Sequence, residues 1–307
     1  MKRGIKWSLI TLGVILSTVL LRTFLFTLCT VPARGMEANL LPGDHLYVNK
    51  WSYGLRIPFT KTRINYQQPR YGDILLFNNP ADTVHRPVYR KDLFISRCVG
   101  LPGDTLYVDS IFQIQPTIAS FNPDQKELYG YPRIYADEVD SILNVLNIQS
   151  NNIVGQDSTS YIRSFTPYEY YLITQATVNL DSLSITAIRK EKPIYPIEVP
   201  QKNKPLEITE WNAILIYNTI LLHENKKVEL IDKKIYLEGT PIDYYTFTQD
   251  YYWVSSSNSI NLRDSRWFGY VPHSHLIGKA SFIWFSKDPA QNIFKGYRWN
   301  RLLKSVY

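Results

Sequence analysis

The stretch VPARGMEANLLPGDHLYVNKWSYGLRIP, Val31–Pro58, decides how the rest of the chain is read. Its Leu41-Pro42-Gly43-Asp44 segment is a turn, and His45 to Lys50 after it alternates apolar and polar residues as a half-buried strand does. Downstream, RYGDILLFNNP (Arg70–Pro80) holds a short apolar run between turn residues, so Ile74 to Phe77 is predicted as a buried strand. A further strand is predicted over Leu93 to Val99. It ends in the turn Gly100-Leu101-Pro102-Gly103-Asp104, and Thr105 to Val108 continues beyond. Strands punctuated by Gly-Asp turns point to a sheet-rich core.

Upstream lies an apolar run, Trp7 to Leu28, broken only by Ser, Thr and Arg22. It matches the roughly 20 residues a helix needs to cross a bilayer. Lys2, Arg3 and Lys6 precede it, which predicts a cytoplasmic N-terminus with the remainder outside. A cleaved signal peptide is the competing reading. The length of the run and the lack of a small-x-small site before Pro32 favour a retained anchor. Arg22 is tolerable near the outer face, where its side chain can reach headgroups, so Thr23 to Val31 is expected to lie along the interface.

The 23 Tyr, 13 Phe and 7 Trp among 307 residues suit pleated, half-buried surfaces, and the fold class expected is mainly β. A formal charge of +7 allows an anionic partner, but the basic residues are dispersed, which argues against nucleic acid. Membrane lipid is the partner this composition suits. Cys29 and Cys98 lie in no metal-ligand spacing and are not expected to bridge; His45, His85 and His223 have no partners at ligand spacing. Neither metal nor cofactor is implied.

From Ile111 to about Asp250 the character is more polar. Helix-period patches are predicted over Asp137 to Leu146 and Trp211 to His223, the second with Trp211, Ile214, Leu215, Asn218, Leu221 and Leu222 as its packing face. KKIYLEGT (Lys233–Thr240) reads as a hairpin turning at Gly239. Core-like sequence returns over Tyr251 to Ser286. The organisation expected is an N-terminus and anchor over 1–30, a discontinuous antiparallel β core from 31–108 and 251–285, an inserted β-rich (α+β) cap over 109–250, and a tail over 286–307.

Five motifs in order, VP-x-x-x-ME-x-x-L, LPGD-x-L-x-VNK-x-SYGLRIP, YGDILLF, RCVGLPGDTL and DSR-x-x-G-x-VP-x-x-H-x-x-GKA, resemble bacterial signal peptidase I. That resemblance implies a membrane-anchored serine endopeptidase of the S26 type, with a Ser–Lys dyad in an extracytoplasmic β fold. The dyad does not carry over. Gly35 stands where the resemblance places the nucleophilic Ser, and Ser96 where it places the general-base Lys. Ala33 replaces a Ser that donates to the oxyanion, and Leu262 a Ser that supports the Lys; the Gly-Asp pair earlier in that last motif is Ser256-Ser257. By the same resemblance Met36, Glu37, Ile95 and Arg97 would border bound peptide, while Asp73, Gly103, Asp104, Asn258, Asp264, Ser265, Arg266 and Gly269 would hold the frame.

Acyl transfer needs a nucleophile within reach of a base and donors aimed at the oxyanion, and these positions have lost them together. The expectation is therefore a non-catalytic relative at the bacterial inner membrane, its main domain periplasmic, that binds secretory precursors or an active peptidase. The alternatives are an active signal peptidase with an unrecognised nucleophile, Ser96 or one of Ser255 to Ser259 with His273 or His275, and a structural envelope protein working through its insertion. Ser96 and Lys91 are five residues apart, on opposite faces of a strand.

Overall fold

The computed structural model describes residues 2–31, 34–36, 39–57, 63–84, 87–115, 125–148, 151–177, 183–188, 193–257 and 263–306. Helix α1 (Lys2–Phe24) carries the apolar segment; Trp7–Phe24 has no share buried against the rest of the chain. At 1.5 Å per residue those 18 residues rise about 27 Å, long and apolar enough to cross a membrane.

The helix ends two residues beyond Arg22, near the outer boundary expected there, although the apolar run continues to Leu28. It stops at Phe24, and β1 (Phe26–Thr30) pairs antiparallel with β2 (Asp44–Asn49), Phe26 opposite Asn49 and Thr30 opposite His45. So the segment expected along the interface is an edge strand. The cause is local: Lys50 Nζ donates to the carbonyls of Arg22 at 3.0 Å and Thr23 at 3.1 Å, satisfying two of the acceptors a helix end leaves open. Beyond that stop, Phe-Thr-Leu-Cys-Thr suits a strand with a partner ladder at hand.

The chain continues through β3 (Leu55–Arg56), β4 (Arg63–Ile64), β5 (Ile74–Asn78), β6 (Leu93–Gly100) and β7 (Thr105–Val108). Then come β8 (Glu127–Pro132), α2 (Ala136–Val145), β9 (Gly155–Gln156), β10 (Ser160–Phe165), α3 (Pro167–Ala176), β11 (Thr186–Ala187) and β12 (Tyr195–Glu198). After β13 (Pro205–Glu207) and α4 (Ala213–His223) follow β14 (Val228–Ile231), β15 (Lys234–Leu237), β16 (Thr240–Ile242) and β17 (Tyr244–Thr246). The last elements are β18 (Tyr251–Ser255), α5 (Ser265–Phe268), β19 (Val271–Pro272), β20 (Leu276–Ser286) and β21 (Lys304–Ser305).

Among the described residues the principal sheet is antiparallel and eight-stranded, in the order β1-β2-β20-β5-β6-β18-β19, with β21 on β20. The mainly β fold expected from composition is the fold observed. β5 is buried along its whole length because both sheet faces are covered. Ile74 and Leu76 face a cluster with Met36, Leu40, Leu46, Val48 and Ile283, while Leu75 and Phe77 face Tyr53, Phe94, Cys98, Val254 and Leu276. A strand buried on both faces reads as a continuous apolar run.

β7 pairs β12, and its Leu106 and Val108 share a core with Ile197, Ile216, Ile220, Phe247 and Trp253. The sheet β11-β8-β10-β9 packs with α2 and α3 around Tyr129, Tyr131, Val139, Leu143, Phe165 and Ile173. The hairpin at Glu238-Gly239 forms as predicted, both residues at positive φ (51° and 85°) as a tight I′ turn requires. The predicted face of α4 is corrected in part. Leu215 is buried and Trp211 packs on the same core, but Ile214, Asn218 and Leu221 are exposed, and the buried side also runs through Ala213, Ile216, Thr219, Ile220 and His223. The tail is tied to the core by Asp44, fully buried, which accepts from Ser286 Oγ at 2.6 Å and from Arg301 Nη2 at 2.6 Å and Nε at 3.1 Å.

Candidate functional site

On the side of the principal sheet near Gly35, two strand edges lack a neighbour among the described residues. β1 ends the strand order, leaving its outer side unpaired. On β6, β18 covers only Arg97 to Gly100, so Leu93 to Ser96 is paired on its β5 side alone. Between these edges lies an open groove of about 280 Å³, walled by Leu28, Cys29, Val31, Met36, Phe94 and Ile95. Gly35 sits at its side, in the short turn Arg34–Met36.

Ser96 is fully buried, and its hydroxyl lies 2.8 Å from the Ile95 carbonyl and 3.0 Å from the Arg263 carbonyl, either of which accepts its proton. Lys91 precedes β6, its carbonyl accepting from Asn78 Nδ2 at 3.3 Å, and burial lowers the pKa of its amine. Cys29 is the one thiol on the groove among the described residues, and burial raises its pKa, keeping it in the poorly nucleophilic thiol form.

Met36 and Ile95 line the groove together. Arg97 stands apart, its Nη1 donating to the Gly72 carbonyl at 2.9 Å. Ala33, Glu37, Asn258 and Leu262, together with Ser259 and His85, lie outside the described residues.

The remaining expected residues assemble behind the groove. Asp73 accepts from Tyr53 Oη at 2.9 Å, the Arg70 amide at 3.0 Å and Lys279 Nζ at 2.5 Å. Asp104 accepts from Tyr71 Oη and the Leu101 amide, closing the turn in which Gly103 takes a φ of +90°. Asp264 is fully buried between the Ser256 amide and hydroxyl, each at 2.7 Å, and the Arg266 guanidinium at 2.6 Å. Ser265 Oγ accepts from the Val254 amide at 2.9 Å, and Gly269 ends α5 at a φ of +77°, where a Cβ would meet Leu215 at 2.8 Å. The bonds of Asp264 and Ser265 fix the described ends of the loop after β18 to one another.

The serines after β18 and His273 are held by different partners. Ser256 is held by Asp264, and Ser257 Oγ donates to the Gly35 carbonyl at 3.3 Å. His273 lies beside the first residues of β18, its Nδ1 3.0 Å from Tyr252 Oη and its ring tilted against Tyr66 with centroids 4.3 Å apart. Burial and the neighbouring Arg63 push its pKa down to about 3, so it is neutral near pH 7.

One residue near the site was missed from sequence. Lys126 is only 2% exposed, and its amide donates to the Ser257 carbonyl at 2.8 Å. In the segment PDQKEL it reads as a solvated charge; no local signal marks it as buried.

A family model described as signal peptidase, peptidase S26, matches residues 4–127 and 210–285. Signal peptidase I of Buchnera aphidicola (subsp. Baizongia pistaciae) is 26% identical over 279 residues, covering 88% of this chain and 73% of the relative. The Haemophilus influenzae signal peptidase I is 26% identical over 297 residues, covering 94% and 71%. That of Pseudomonas fluorescens is 36% identical over 94 residues, 30% and 31% of the two chains.

Proposed function

Because the chain belongs to the signal peptidase, peptidase S26 family, we propose that it is a non-catalytic member that holds extended segments of secretory precursors in the groove beside Gly35. The observation that carries this reading is the pair of unpaired strand edges, Leu28–Val31 and Leu93–Ser96, facing one open apolar channel. Added strands bind through backbone hydrogen bonds, with pockets for alternate side chains, and neither contribution needs a nucleophile. Glycine at position 35 and a buried, carbonyl-bound Ser96 leave recognition without cleavage. In this reading α1 anchors the chain in the bacterial inner membrane, with Lys2, Arg3 and Lys6 cytoplasmic and the sheet periplasmic.

The test uses the full-length protein in detergent with a fluorescent peptide spanning a signal-peptide cleavage region. Anisotropy should report saturable binding and chromatography an intact peptide, while the double variant Gly35→Ser/Ser96→Lys should cleave it. Absence of binding in both proteins would overturn the reading. A second reading, residual peptidase activity, is favoured by Lys126 lying buried behind Ser257, whose hydroxyl meets Gly35. It requires cleavage by the native protein that disappears in Ser257→Ala.

A further inference from the structure

A second cavity, of about 400 Å³, opens where α1 meets the sheet. Its apolar walls are Phe24, Leu76, Leu93 and Ile277, and its polar groups include Lys50, Arg56 and Asn78; no carboxylate lines it among the described residues. Leu93 alone also borders the groove beside Gly35.

The charges here are unbalanced. Lys50 is placed by its bonds to the Arg22 and Thr23 carbonyls, which use two of its three protons. Arg56 lies directly across from Arg63 in the β3–β4 ladder, a like-charge pairing that costs stability without an anion. Arg63 turns its guanidinium to backbone, Nη1 donating to the Gly54 carbonyl at 3.0 Å and Nη2 to that of His273 at 3.3 Å. Arg56, half-buried, has no hydrogen bond or ion pair among the described residues. Burial lowers the pKa of both Lys50 and Arg56, as expected of cations desolvated without a counter-ion.

Asn78 adds a directional demand. It is 1% exposed, its Nδ2 donates to the Lys91 carbonyl, and its Oδ1 is buried without a hydrogen-bond donor. A buried acceptor in that state favours a ligand bringing a hydroxyl or N–H group. The site therefore combines an anion-binding pair, an acceptor for a donor group, and apolar walls reaching the last turn of an apolar helix.

We propose that this cavity binds the headgroup of an anionic glycerophospholipid bearing free hydroxyls, its phosphate at Arg56 and Lys50, a headgroup hydroxyl at Asn78 Oδ1, and acyl carbons beside Phe24 and Ile277. Arg suits phosphate because its fork of N–H donors matches two oxygens at once. The site is independent of the peptide groove and does not rest on the peptide-binding reading.

The test is native mass spectrometry of the full-length protein from neutral detergent, titrated separately with dioleoyl-phosphatidylglycerol, dioleoyl-phosphatidylcholine and inorganic phosphate. One phosphatidylglycerol per chain is expected to remain bound, and Arg56→Gln is expected to weaken it roughly tenfold while Arg56→Lys stays within about threefold, as for loss of one charge-assisted contact. Equal retention of phosphatidylcholine, inorganic phosphate binding as well as the lipid, or undiminished retention by Arg56→Gln would each overturn the proposal. The headgroup comparison on the unaltered protein decides even if Arg56→Gln does not fold.

Discussion

Acidification should destabilise this protein through His273, by an amount that follows from its surroundings. The side chain is 6% exposed, bonded to Tyr252 and packed against Tyr66, with Arg63 close by and Asp250 opposing it only in part. Its folded pKa is about 3, against roughly 6.5 in an unfolded chain. Between those values the unfolded state binds a proton that the folded state refuses, so stability falls as pH drops. Above about pH 6.5 both states are neutral and there is no loss. At pH 4.5 the penalty reaches about 2.7 kcal/mol, two units at about 1.36 kcal/mol each. Denaturant unfolding of the full chain in detergent, from pH 7.5 to 4.5, should show this loss on top of that from other groups. His273→Asn keeps an acceptor for Tyr252 and removes the titration, so its pH profile should be flatter by about the same amount. Parallel profiles for the two proteins, within about 0.5 kcal/mol, would refute the reasoning.

Two further outcomes are expected. Arg301→Ala should cost about 3 kcal/mol, because it leaves the Asp44 carboxylate buried with its nearest remaining cation, Arg298 Nη1, at 4.0 Å; an unfolding free energy within 1 kcal/mol of wild type would count against the Asp44 hub. Leu28→Trp, at an exposed position on the groove, should weaken peptide binding at least roughly tenfold while changing stability by less than about 0.5 kcal/mol; unchanged anisotropy would place the peptide elsewhere.

Much of the frame was legible because its signals are local. Ile74 to Phe77 stands out as apolar residues between turns, and Glu238-Gly239 as a turn between alternating strands. β1 was hidden because Phe26–Thr30 continues the apolar anchor without a change in composition; what separates them is Lys50, a residue 26 positions after Phe24 that caps the helix. The face of α4 was misphased in part because Ile214 and Leu221 are as apolar as the residues it buries, while the buried side includes Thr219 and His223, so apolar periodicity did not single out the packed face. α3 went unread although Thr166 and Glu169 form a capping box, a pattern the sequence does carry. At the groove, the departure from the serine that the resemblance implies is visible in Gly35 itself, whereas Lys126 behind Ser257 and the Asp44–Arg301 pair depend on contacts between distant parts of the chain.

Only Leu25 separates the last residue of α1 from the first of β1, and Lys50 fastens that junction to the strand's own partner. There is no slack between anchor and groove. With the helix embedded in a bilayer, the five residues of β1 act as a ruler of about 17 Å, at about 3.4 Å each. If the groove takes an extended peptide as proposed, it would sample only the few residues of that chain that have just cleared the lipid, and lengthening the junction by a flexible insert would shift which part it reads.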